Sequence, residues 1–278
     1  MTNGKKIRQP AVAGQFYAAS PERLSREVQE YLQAVPEPEP DVQRVVGLIS
    51  PHAGYPCSAL TAAYGYRLLQ RFAFKRAVVI APSHSDYFSG IAVYDGDGYA
   101  TPLGVVTVDR QLCDKIAAEC PLARAGDIGH RTEHALEVQL PFLQVLYPDG
   151  IELVPLTVGM ASARELQAFS ERLKELVNAG DTVLIASSDL SHYYPQALAH
   201  QKDRRLIELL ENCDLPALER GYDDQSLEAC GLGPILILMN YARQFTAAEC
   251  RILDYRTSGD TCGDKLQVVG YTSAVITV

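Results

Sequence analysis

A series of short, almost wholly apolar runs, separated by stretches with helical spacing, constrains this fold more than any other feature. "RVVGLIS", "RAVVIAPS", "IELVPLTVG" and "TVLIASS" are apolar throughout rather than alternating, the pattern of strands covered on both faces. "GIAVY", "VVTV", "RILDY" and "LQVVGYTSAVITV" supply further strands. Between them, "SPERLSREVQEYLQAV" offers Ser20 as N-cap and Pro21 at the first helical position. Its Leu24, Val28, Tyr31, Leu32 and Val35 then fall at helical spacing, and "PEPEPD" (36–41) ends the helix in a stiff connector. "SARELQAFSERLKELVNAG" sets Ser162 and Glu165 in capping-box register, with Gly180 as its stop. Further helices are expected at 58–70, 110–119, 134–146, 196–211 and 234–243. This alternation predicts a three-layer α/β/α fold around a mainly parallel sheet, with antiparallel strands near the C-terminus. No repeat, low-complexity tract or linker interrupts it, so residues 1–278 are expected to form one domain.

Composition excludes some functions. A net charge of −9 and the absence of a dense Lys/Arg stretch argue against a binder of nucleic-acid backbones. Lys5, Lys6 and Arg8 are followed by no apolar run of signal-peptide length, and no stretch reaches the ~18 apolar residues of a membrane span. A cytoplasmic location is the expectation. Seven cysteines stand singly, with no C-x-x-C pair, so neither a disulfide framework nor a zinc knuckle is indicated. Most are expected to be buried thiols.

Three of the apolar runs end alike. "VVGLISPHAGY" places His52 just after a strand, "AVVIAPSHSDY" places His84 likewise, and "TVLIASSDLSHYY" places Asp189 and His192. Functional groups of open α/β sheets gather outside the carboxyl ends of the strands. If these strands are parallel, all four side chains collect at one edge. Each alone has a plainer reading: a histidine after a strand is usually a loop or packing residue, and Asp189 alone is a turn cap. Three such endings together, in a chain with six histidines, indicate a shared site.

Two more residues join the argument. His134 lies in "TEHALEVQLPFL", where Thr132 is a candidate N-cap and Leu136, Leu140 and Leu143 form the core stripe. Glu137 follows three residues later, nearly one turn on, so both are expected to face the same cleft. The inverted zinc-peptidase motif fails because Val138 stands where a histidine is required. His130 and His200 are read as surface residues. Cys230, in "EACGLGPILILMNYAR", precedes a helix that starts at Pro234, with Gly231 and Gly233 making a tight approach. It is either a metal ligand or nucleophile, or a small buried residue in a Gly-rich turn.

Taken together, "GQFYAASPERL", "PHAGYPCSAL", "PSHSDYFSGIAV", "TPLGVVTVD", "EHALEVQLPFLQ", "SSDLSHY" and "ACGLGPI" resemble the Memo family, whose prokaryotic members are called AmmeMemoRadiSam system protein B. The resemblance runs from about residue 8 to the C-terminus. It implies a fold related to LigB-type class III extradiol dioxygenases, which are non-heme iron enzymes. It also implies metal binding by His52, His84 and Cys230, with iron (Fe(II)) or copper as the ion. His192 falls where those dioxygenases keep a catalytic base, and Asp189 and His134 line the same pocket. A cysteine in place of the usual carboxylate is a softer donor and removes any automatic inheritance of dioxygenase activity, and Asp189 is the alternative third ligand.

Three functions fit these residues. The first is a metal-dependent oxidoreductase in which His192, oriented by Asp189, transfers protons. The second is an adaptor that keeps the pocket without the chemistry, and the family name implies AMMECR-type and radical SAM partners. The third, ranked last, is a metal-free hydrolase with Cys230 as nucleophile and His192 as base.

Overall fold

A computed structural model describes residues 4–38 and 42–278. The chain begins with strand β1 (Ile7–Arg8) and helix α1 (Pro21–Ala34), where the Ser20 hydroxyl accepts from the Arg23 N–H as expected. Part of the 36–41 connector lies outside the described residues. Strand β2 (Val45–Ser50) leads into α2 (Tyr55–Leu69), and β3 (Arg76–Pro82) into the short strands β4 (Ile91–Tyr94), β5 (Gly98–Thr101) and β6 (Gly104–Thr107). Helix α3 (Arg110–Glu119), strand β7 (Ala123–Gly126), the single turn α4 (His134–Glu137) and α5 (Leu140–Leu146) follow. Next come β8 (Glu152–Val158), α6 (Ala163–Leu176), β9 (Thr182–Ser187) and β10 (His192–Tyr194). Helices α7 (Gln196–Glu211), α8 (Leu215–Asp223) and α9 (Leu232–Ala242) precede β11 (Glu249–Thr257), the turn α10 (Ser258–Thr261) and β12 (Val268–Thr277).

Among the described residues, nine strands form one sheet in the order β10-β12-β2-β9-β3-β8-β4-β7, with β11 added on β12. Its centre, β2-β9-β3-β8, is parallel as expected. The register pairs Ser50 with Ser187, Ile80 with Ala186 and Pro82 with Val158, so the carboxyl ends of all four strands finish level. The C-terminal β11 and β12 are antiparallel, as expected, and so is the β4-β8 junction, which the sequence did not announce. A separate three-stranded sheet places β5 between β1 and β6. Every residue of β2 and β9 is buried, which is why these runs carry no polar alternation. Helices α1, α2 and α5 pack together on one side of the sheet, and α6, α8 and α9 on the other. Helix α9 is buried along its whole length, so it is apolar on all sides rather than striped.

Several expectations are corrected. The expected helix 134–146 is two pieces, because Pro141 has no N–H for the Glu137 carbonyl and its ring would clash there. The N-cap of α4 is Glu133, whose carboxylate accepts from the Ala135 N–H, and not Thr132. Helix α6 stops at Leu176, short of Gly180, while its capping box at Ser162 and Glu165 forms as expected. Helix α8 was not anticipated. Glu137 does not share a cleft with His134: it is fully buried against Arg8 and Tyr17. His130 is buried rather than exposed, with Tyr99, Thr157 and the Ala92 carbonyl around its ring nitrogens. Its partners come from β4, β5 and β8, distant in sequence, so no local pattern marks it. His200 is exposed as expected. Cys57 and Cys262 form a disulfide, although no framework was indicated; their separation of 205 residues leaves no spacing signal. The other five are free thiols, three of them buried.

A candidate metal centre at the carboxyl edge of the sheet

The level strand ends gather the candidate residues. His52 follows β2, His84 follows β3, and Asp189 follows β9, all at the same edge, where α4 adds His134. Ligand atoms of His52, His84 and His134 all lie within 4.8 Å of one another. The imidazole centroids are 4.8 Å apart for His84 and His134, 5.2 Å for His52 and His84, and 5.5 Å for His52 and His134. His52 is buried with 2% of its side chain exposed, whereas His84 and His134 keep 34% and 24%. The group therefore has a closed side at the sheet and an open side to solvent.

Hydrogen bonds fix which nitrogen of His52 faces the cluster. The Ser187 hydroxyl spends its one proton on the Ala135 carbonyl at 2.6 Å. Its oxygen accepts from Gln139 Nε2 at 2.8 Å, so His52 Nδ1, 2.9 Å away, must be the donor. That leaves Nε2 of His52 as the acceptor nitrogen, turned toward the cluster and toward Cys230. Glu133 does the same for its neighbours. Its Oε1 lies 3.0 Å from His84 Nδ1 and 3.3 Å from His134 Nδ1, and its Oε2 accepts from the His84 backbone N–H at 2.6 Å. Such outer partners orient imidazoles and raise their basicity as ligands.

Burial pushes the His52 imidazole well below its usual range, reinforced by His84 and His134. Burial also lowers His134. For His84 burial acts downward too, but the Glu133 carboxylate outweighs it and the result is raised. Glu133 itself is held below the usual carboxylate range, because hydrogen bonds from His84 and the backbone overcome its burial.

Cys230 sits on the His52 side, its Sγ 3.0 Å from His52 Nε2 and 3.3 Å from the Asp189 N–H that donates to it. Burial drives the thiol well above its usual range. The tight approach expected at Gly231 is real: a Cβ there would lie 2.2 Å from the Ser187 carbonyl oxygen. Gly233 is less constrained, its nearest contact being 3.3 Å. Asp189 accepts from the His52 N–H at 2.8 Å, and its Oδ2 is 4.0 Å from His52 Nε2. Burial raises its carboxyl to about 7. His192, in β10, is half-buried, and burial followed by the nearby His84 lowers it, so it is neutral near pH 7.

All six sequence-derived residues thus lie at one edge, but the tightest convergence joins His134 to His52 and His84, while Cys230 approaches His52 alone. The sequence reading missed Glu133, Ser187 and Gln139. Glu133 adjoins His134, yet its decisive partner His84 is 49 residues away.

An α/β/α sheet here converges three imidazoles at its carboxyl edge in an arrangement that could hold a metal ion. The chain belongs to the Memo-like family, whose model, described as Memo-like protein, matches residues 8–275. A MEMO1 family protein of Methanosarcina barkeri is 34% identical over 272 residues, covering 97% of this chain and 100% of its own. One from Methanopyrus kandleri is also 34% identical, covering 96% and 98%. Among solved structures, an uncharacterized protein of Escherichia coli K12 superposes with a TM-score of 0.55 at 17% identity, covering 84% of this chain and 99% of that one. That likeness is one of fold. No helix among the described residues is long and apolar enough to cross a membrane.

Proposed function

We propose that this chain is a metal-dependent oxidoreductase acting on a small molecule at the carboxyl edge of its sheet, with Fe(II) or copper as the ion. The observation that carries this is the convergence of three imidazoles within 4.8 Å, with the outward nitrogens of His52 and His84 hydrogen-bonded to Ser187 and Glu133. That donor set fits a divalent transition metal, and the neighbouring Cys230 thiol adds a soft donor suited to iron or copper. His52, His84 and His134 would hold the ion, with Cys230 beside His52. An ion held there supplies Lewis acidity and one-electron redox chemistry.

The protein's own groups supply the rest. Asp189 fixes the His52 loop through its backbone N–H, Glu133 holds two rings in place, and neutral His192 accepts a proton from a substrate hydroxyl. Oxygen uptake by the Fe(II)-loaded protein with a panel of catechols tests this. Uptake that is lost in His192→Ala, with metal retained, supports the reading. Equal uptake by His52→Ala and the parent would overturn it.

A further inference from the structure

The Cys57–Cys262 disulfide joins two segments that each lead to the site. Cys57 is the third residue of α2, directly after the loop that carries His52. Cys262 ends α10, and its N–H and that of Gly263 both donate to the Ser258 carbonyl. From α10 the hydrogen bonds run on to the strand that carries His192. The Ser258 hydroxyl accepts from the Val269 N–H, and Val269 pairs with His192 across the ladder. Gly270 exchanges backbone hydrogen bonds with Leu190 and Ser191. Gln196, just past β10, donates from its side chain to Thr257 and Asp260 and from its backbone to the Lys265 carbonyl.

This region depends on its surroundings. Residues 262–267 are all exposed, and Leu266 keeps 74% of its surface. In β10 itself the ladder is irregular between His192 and Tyr194, with Tyr193 at a φ of 63°. A tyrosine takes that left-handed conformation rarely and at a cost, so neighbouring structure must impose it.

We propose that Cys57–Cys262 is a reducible modification site, with a dithiol reductant as co-reactant, whose state sets how firmly the His192-bearing segment is held. Cys262 is exposed and Cys57 half-buried, so an incoming thiolate attacks the Cys262 sulfur. The S–S bond breaks, a mixed disulfide forms at Cys262, and the electron pair leaves on the Cys57 sulfur. That sulfur lies in the first turn of a 15-residue helix, the positive end of whose dipole favours an anionic leaving group. The second thiol of the reductant then displaces Cys262. Two cysteine thiols and one oxidised reductant result, and electrons balance. Reduction removes the covalent tie of α10 to α2 and leaves 258–270 held by its hydrogen bonds and the packing of buried Val268, beside the strained β10.

The inference is independent of any bound metal. It is tested by hydrogen–deuterium exchange on the full chain, air-oxidised and then treated with dithiothreitol without denaturant, beside Cys262→Ser. The expected result is exchange roughly ten-fold faster at 190–194 and 258–270 on reduction, with 45–50 and 182–187 unchanged. Cys262→Ser should show the fast pattern at once and no response to reductant. Superposable patterns in both states would overturn the proposal. So would two free thiols in the air-oxidised protein, a bond that resists the reductant, or acceleration spread evenly over the whole chain.

Discussion

Replacing Glu137 by glutamine tests whether the buried clamp on α4 is as costly to open as its geometry implies. The Arg8 guanidinium pairs with the Glu137 carboxylate, with 3% and 0% of the two side chains exposed. The carboxylate also accepts from the Ala11 N–H at 2.8 Å, the Val12 N–H at 3.1 Å and the Tyr17 hydroxyl. Arg8 in turn donates to the His130 and Glu133 carbonyls, at 3.0 and 2.6 Å. The amide keeps one acceptor but removes the charge that compensates Arg8 and turns an N–H toward other donors. Breaking one side of a buried pair costs about 3–5 kcal/mol. At about 2–4 °C per kcal/mol for a chain of this size, the melting temperature should fall by roughly 6–20 °C. Thermal unfolding followed by circular dichroism reads this directly. A Glu137→Gln protein that melts within about 2 °C of the parent would refute the reasoning.

Three other outcomes are expected. Glu133→Gln should weaken metal binding by roughly 10–100-fold in a competition titration, since it loosens His84 and His134 together; unchanged affinity would remove Glu133 from that role. Gly231→Ala should destabilise the chain by about 1–3 kcal/mol in urea, because its Cβ would meet backbone at the end of β9; a neutral result would show that the Cys230 loop gives way freely. Burial depresses His130 to about 4. The unfolded chain, titrating near 6.5, therefore takes up the proton first as pH falls. Its contribution of about 3 kcal/mol is full above pH ~6.5 and is lost between there and pH ~4. The stability gap between the parent and His130→Asn should close over that range, and a constant gap would contradict the assignment.

The fold and the site were legible to different depths. Strand runs such as 45–50 and 182–187 were plain because burial on both faces removes polar alternation, a purely local signal. The caps at Ser20 and Ser162 were equally local. The gathering of His52, His84, Asp189 and His192 followed from strands that end alike, once parallel pairing was assumed. What escaped depends on distant partners. Arg8 and Glu137 are 129 residues apart, His84 and Glu133 49, and Cys57 and Cys262 205. Glu137 was misplaced because helical spacing gives a face but not what covers it. The polar sequence around His130 points to the surface, and only its distant partners Tyr99, Thr157 and Ala92 bury it.

The central claim is that His52, His84 and His134 hold a metal ion. Metal content by plasma mass spectrometry, on protein purified anaerobically and then offered Fe(II) or copper, tests it most directly, with His52→Ala and Cys230→Ala alongside. The account predicts about one ion per chain in the parent, loss in His52→Ala, and retention with weakened binding in Cys230→Ala. A folded parent that takes up no ion, or a His52→Ala variant that holds as much as the parent, would contradict it.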